Sequence, residues 1–180
     1  MDARVGRRIV VYGWTGSGKT TTARRIGAAL GLPVIELDAL FWRPNWEPVP
    51  VDEFRAAAIE ALAGCPDGWV CDGNYARIRD GILPHADTAV VLRLPFRVTY
   101  WRLWKRTLTR SWRRERLWGT NNESFRQAFL SRDSLLLYAF TQRRRGFESL
   151  IDDLAAWGGH ASVIELRSAR AVDAFLAGLA

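Results

Sequence analysis

A chain of 180 residues with 48% hydrophobic and 25% charged residues is of the size and makeup that folds as one domain around a sizeable core. No run approaches the roughly 20 apolar residues that a membrane helix needs, and Cys65 and Cys71, six positions apart beside only two histidines, argue against a disulfide framework, a His-rich metal site or a nucleophilic triad. The formal charge of +7 sits in one place: Arg97 to Arg116 holds seven arginines and one lysine against Glu115, and the rest of the chain is balanced.

In chain order, Arg7 to Tyr12 is apolar without alternation and predicts a buried parallel strand. Thr21 to Leu30 predicts a helix, with Gly31 where a left-handed cap belongs. A short second strand is predicted at Pro33 to Leu37, followed by Asp38-Ala-Leu-Phe-Trp-Arg43 and a Pro-rich loop to Pro50. Asp52 is placed to cap a helix running to about Ala63, which Gly64-Cys-Pro-Asp-Gly68 breaks. Trp69 to Asp72 is the third strand, ending in Gly73-Asn74-Tyr75, and a short helix ends at Pro84. Thr88 to Leu94 is the fourth strand and Phe96 to about Ser111 a strong helix. Helices are also expected over Ser124 to Arg145, Phe147 to Trp157 and Ala169 to Leu179, with a fifth strand at Ser162 to Leu166. Alternating strands and helices predict a three-layer α/β fold, a parallel sheet covered on both faces. Ligands of such sheets bind outside the carboxyl ends of the strands.

The first of those ends carries G-x-x-x-x-G-K-T, from Gly13 through Trp14, Thr15, Gly16, Ser17, Gly18 and Lys19 to Thr20, with Thr21 opening the helix. Strand, glycine loop and helix in this order form a P-loop: backbone N–H groups cradle phosphates, the helix N-terminus adds partial positive charge, Lys19 reaches the β- and γ-phosphates, and the Thr20 hydroxyl binds Mg²⁺. ATP and Mg²⁺ are therefore the expected cofactors. Asp72 ends an apolar strand, where a carboxylate holds the metal opposite Thr20; the same residue also suits the Asp-Gly turn that follows. Asp38 has the equivalent place one strand earlier and is expected either to accept or orient a substrate hydroxyl's proton, or to serve as a cap.

Along Arg97 to Arg116, Val98, Trp101, Trp104, Leu108 and Trp112 recur at helical spacing, while Arg102, Arg106, Arg110 and Arg113 occupy another face. The periodicity predicts tryptophans packed on the sheet, although tryptophan interleaved with arginine also suits base stacking. The arginines as a group suit phosphate contact from a closing segment that excludes water. The N-terminal apolar run leads into the P-loop rather than a cleavage site, so a cytoplasmic protein is expected.

On GWTGSGKTT, LDALFWRPNW, WVCDGNYARIRD, ADTAVVLRLPFRVTYWRLWKRTLTR, LWGTNNES and VIELRSARAVDAFL, nearly the whole chain resembles the adenylate-kinase-like P-loop kinases. Within them it is similar to the bacterial group named DNA topology modulation protein (FlaR-related). The resemblance implies a P-loop NTPase fold, a five-stranded parallel sheet of order 2-3-1-4-5 in a single domain spanning 1–180. It implies a substrate-side insertion at 38–64 and an Arg-rich lid at about 106–146. It places Lys19 and Thr20 on ATP and magnesium, Asp38, Arg43, Asn74 and Arg77 around an acceptor, and Arg106 and Arg110 at the start of the lid. Asp72-Gly-Asn-Tyr-Ala-Arg77 departs from the Asp-Gly-Phe-Pro-Arg of nucleoside monophosphate kinases. The expected activity is transfer of the ATP γ-phosphate to a small molecule or nucleotide, without membrane association. A nucleotide-binding regulator associated with nucleic acid is the alternative.

Overall fold

A computed structural model describes residues 5–113, 116–117, 121–122 and 143–179, with side chains described for 5–105 and 148–179. Five parallel strands form the sheet: β1 (Arg8–Gly13), β2 (Val34–Glu36), β3 (Trp69–Asp72), β4 (Thr88–Leu92) and β5 (Ser162–Leu166). Their spatial order is β2-β3-β1-β4-β5. The helices are α1 (Lys19–Leu30), α2 (Leu37–Phe41), α3 (Val51–Ala63), α4 (Arg79–Ile82), α5 (Phe96–Arg113), α6 (Arg143–Trp157) and α7 (Ala169–Ala177). A two-residue ribbon pairs Arg116–Leu117 with Asn121–Asn122, and its second strand lies beside the turn at Pro44–Trp46.

The continuous apolar run of β1 follows from its central place. Ile9 and Val11 join a core with Ile26 of α1 and Leu176 of α7, while Val10 and Tyr12 join another with Phe54 of α3 and Leu150 of α6. Both faces are buried, so alternation has nothing to select. Each fully buried aliphatic side chain in these layers stabilises the fold by about 1.5–3 kcal/mol. The edge strand β5 is half-solvated instead, with Val163 exposed.

Gly31 caps α1 with φ 63°, its neighbour Leu32 donating back to the Gly27 carbonyl. The expected cap at Asp52 is corrected: Pro50 holds the N-cap position, and Asp52 and Glu53 lie in the first turn of α3, where their charge complements the helix dipole. The separate helix start at Phe147 is also corrected, since α6 runs unbroken from Arg143. Cys71 is buried, but Cys65 is only half-buried, and both are free thiols.

The expected inward stripe on α5 is overturned. Thr99 and Leu103 form its buried face, whereas Val98, Trp101 and Trp104 are exposed, Trp101 at 54%. The physical reason is what lies beneath: α5 rests on the P-loop backbone at Gly16, an approach too close for indole rings. Trp101 and Trp104 stack on each other instead, 5.2 Å between ring centroids, with Lys105 over the Trp101 ring. Leu108, Trp112 and the expected helix over 124–142 lie outside the described side chains or residues.

Candidate active site

The carboxyl ends of β1, β2 and β3 bring Lys19, Thr20, Asp38 and Asp72 to one edge of the sheet. Val11 and Glu36 flank Asp72 in register, so the end of β3 faces the loop that leaves β1. In that loop the Ser17 N–H donates to the Trp14 carbonyl at 2.9 Å, turning the chain back before α1. Gly16 (φ 82°) and Gly18 (φ 93°) adopt left-handed conformations that glycine enters without steric cost. A Cβ on Gly16 would also collide with the Thr99 carbonyl of α5. The Lys19 ammonium donates to the Trp14 carbonyl at 3.2 Å, so its charge hangs over the loop.

The Thr20 hydroxyl donates to Asp72 Oδ2 at 2.5 Å. Asp72 Oδ1 and the Ser17 hydroxyl are buried without a hydrogen-bond partner among the described residues. Burial pushes the Asp72 carboxyl above the usual range, Lys19 and Thr20 draw it back, and Asp38 and Glu36 push it further up. A buried carboxylate oxygen left over beside a threonine hydroxyl fits a small hard cation that takes its remaining oxygens from water and phosphate. No group of three or more His, Cys, Asp or Glu able to cage a metal occurs among the described residues.

Beside the loop, Gly16, Gly18, Thr21, Arg25, Arg102 and Val172 line a cavity of about 340 Å³ between α1, α5 and α7. That volume lies within the roughly 300–1,000 Å³ of small-molecule sites. The Arg102 guanidinium lies 3.9 Å from where a Cβ on Gly18 would be.

Across the Thr20–Asp72 pair, the Tyr75 hydroxyl donates to Asp38 Oδ1 at 2.5 Å. Burial and the neighbouring Asp38 charge push the Tyr75 phenol far up, so it remains a donor. Four further rings cluster with Tyr75 beside this pair. Phe41 meets Trp42 at 4.7 Å, Phe54 at 5.0 Å and Tyr75 at 4.8 Å between centroids, and Trp42 meets Trp46 at 5.6 Å. The Val49 N–H donates to the Phe41 carbonyl and the Arg43 N–H to the Glu47 carbonyl, folding the Pro-rich loop into a closed turn. Inside it Asn45 (φ 64°) and Trp46 (φ 61°) are both left-handed, a conformation rare for a bulky ring.

The other expected acceptor residues are placed differently. Arg43 is exposed and paired with Glu53 at 2.6 Å. Arg77 is exposed on the turn at Ala76–Ile78, its carbonyl accepting from Arg55 at 2.8 Å. Asn74 Oδ1 accepts from Arg79 at 2.5 Å. Arg106 and Arg110 lie on α5 beyond the described side chains.

Sequence reasoning missed Arg79 and Tyr75. Arg79 is 2% exposed, paired with Asp153 of α6 at 2.6 Å and stacked over Tyr12. It ties the loop after β3 to α6. Its surroundings in the sequence, Ile78-Arg79-Asp80-Gly81-Ile82, give no sign of its burial. Tyr75 stood three residues after Asp72, with nothing to pair it with Asp38 until the fold joined them.

No family model and no curated protein matches the sequence. Solved structures do. A gluconokinase from Sinorhizobium meliloti 1021 is 25% identical with a TM-score of 0.55, covering 98% of this chain and 95% of its own. A sugar kinase from Janibacter sp. HTCC2649 is 20% identical with a TM-score of 0.51, covering 95% and 92%. The shikimate kinase of Bacteroides thetaiotaomicron is 18% identical with a TM-score of 0.51, covering 96% of each chain. The fold is that of the P-loop kinases, a five-stranded parallel sheet in the order 2-3-1-4-5 between helical layers.

Proposed function

We propose that the chain is a phosphotransferase that moves the γ-phosphate of Mg-ATP to the hydroxyl of a small molecule. The carrying observation is the convergence of the P-loop, the Thr20–Asp72 pair and the Asp38–Tyr75 pair at one edge of the sheet. Neighbours whose names are gluconokinase, sugar kinase and shikimate kinase support an acceptor of that general kind.

Mg-ATP bound here supplies the transferable phosphoryl group and the metal's charge. Residues Gly13 to Thr21 would hold the triphosphate by backbone N–H groups, with Lys19 neutralising β- and γ-oxygens. Thr20 and Asp72 are the residues that would hold Mg²⁺. The cavity lined by Arg102 and Val172 would take the rest of the nucleotide. Tyr75 fixes one Asp38 oxygen, and the other receives or orients the acceptor's hydroxyl proton. The acceptor oxygen bonds to the γ-phosphorus as the bond to the β–γ bridging oxygen breaks, and ADP leaves with that electron pair. We assign 38–64 to the acceptor side and about 106–146, with Arg106 and Arg110, to a lid over the reaction.

ADP release from Mg-ATP across a panel of hydroxylated metabolites, gluconate and shikimate among them, tests this reading. One acceptor should raise release well above the acceptor-free rate, and Lys19→Ala should abolish the rise. Rapid hydrolysis without any acceptor would sink it.

A nucleic-acid-associated switch, in keeping with the DNA topology modulation group, draws on the charge of Arg97 to Arg116 and the exposed stacked pair Trp101 and Trp104. Duplex binding with a steep salt dependence would support it, and no binding at low salt would end it.

A further inference from the structure

We infer that the acceptor is a hydroxylated molecule without negative charge, of the sugar or amino-sugar class, seated on the rings beside Asp38. This deepens the phosphotransferase reading and rests on it.

A phosphate- or carboxylate-bearing acceptor needs cations to hold it. Three of the four arginines on this side already hold carboxylates, Arg43 with Glu53, Arg55 with Asp80 and Arg79 with Asp153, and the fourth, Arg77, stands exposed on the turn at Ala76–Ile78. Residues 36–53, which carry the rings, hold five acids against the single Arg43, a net charge of −4. An anionic acceptor would approach Asp38 against that field, whereas a neutral one is indifferent to it and an ammonium is drawn in.

Aromatic faces present broad apolar area on which the C–H face of a sugar ring can lie, and their negative π-faces also favour an ammonium. Asp38 Oδ2 has no hydrogen-bond partner among the described residues, while Oδ1 is taken by Tyr75. A carboxylate so held accepts from hydroxyls and repels anions.

Two consecutive left-handed residues, Asn45 and Trp46, cost of order 1–3 kcal/mol each, and such conformations cluster at ligand clamps. Here they set the Trp46 ring edge-on against Trp42, extending the aromatic wall.

The test measures ADP release with Mg-ATP and matched acceptors: glucose, glucosamine, gluconate, glucose 6-phosphate and AMP. The neutral or amino sugar should exceed its anionic counterparts in kcat/KM by about tenfold or more. The ratio of glucosamine to glucose separates the two sources of the shared chemistry. Preference for gluconate, glucose 6-phosphate or AMP overturns the inference and leaves the kinase reading standing. No acceptor above the acceptor-free rate overturns both. Trp46→Ala, in an exposed turn, should raise the acceptor KM severalfold with the KM for ATP unchanged, and an unchanged acceptor KM would remove the rings from the acceptor site.

Discussion

Asp72 is under two opposed demands. In its proposed role it must be ionised to hold a divalent cation, yet it is only 6% exposed, and burial raises its carboxyl above the usual range. An acid whose folded value is raised contributes stability below its unfolded value, and that contribution is lost as pH rises through the folded value. Once ionised, the buried carboxylate is therefore a cost to the fold, one that the proposed metal-holding role requires. Asp72→Asn should stabilise the protein at pH 7 by about 1 kcal/mol, the scale of relieved functional-site strain, seen as a higher Tm. The same variant should lose magnesium-dependent ATP binding in calorimetry. In the wild type that binding should weaken on acidification at a pH above the ordinary aspartate range. A wild-type profile that stays flat down to that range would contradict the assignment. Lys19→Ala should lower kcat by about 10²–10³, the loss typical of one preorganised electrostatic contact and enough to abolish the acceptor-dependent rise in ADP release.

At the level of elements, the loop after β3 is tied to α6 through Arg79, in addition to its own turn hydrogen bonds. Removing one partner of a buried ion pair leaves the other charge uncompensated, at a cost of about 3–5 kcal/mol, whereas replacing both by apolar groups is much milder. Arg79→Met should be destabilising on that scale, and Arg79→Met with Asp153→Leu should recover most of the loss in denaturant unfolding. Additive losses in the double variant would show that the two side chains do not act as a pair. The strands and longer helices were legible because each is longer than its ambiguity: the unbroken apolar β1 and β4 fit only buried parallel strands. α5 was legible as a helix and misleading as a surface. Its tryptophans keep helical period, but period cannot say which face meets the protein, and contact with the P-loop backbone at Gly16 selected the slim Thr99–Leu103 face.

Across the whole molecule, charge is concentrated in two segments of opposite sign. Arg97 to Arg116 carries +7 and residues 36–53 carry −4. Helix α5, which contains most of the positive segment, lies over the loop proposed to hold the triphosphate. A polyanionic nucleotide should then be drawn toward one side and kept from the other. The KM for ATP should rise steeply between 50 mM and 500 mM salt, as a Debye length of about 10 Å at 0.1 M shrinks. The KM for a neutral acceptor should move little over the same range. Equal salt dependence of both constants would show that the division of charge has no kinetic consequence.

The sequence by itself determined the sheet, its alternating helices and the P-loop. Those rest on local rules: burial on two faces, glycine where the chain must turn left-handed, and a lysine and threonine at fixed offsets from the loop. Tertiary structure alone decided the partners. Tyr75 meets Asp38 across 37 positions, Thr20 meets Asp72 across 52, and Arg79 meets Asp153 across 74. It also turned Arg43 toward Glu53, and turned Trp101 and Trp104 outward. Side-chain pairing depends on which strand ends the crossovers bring together, and one chain's local pattern carries no record of that distance.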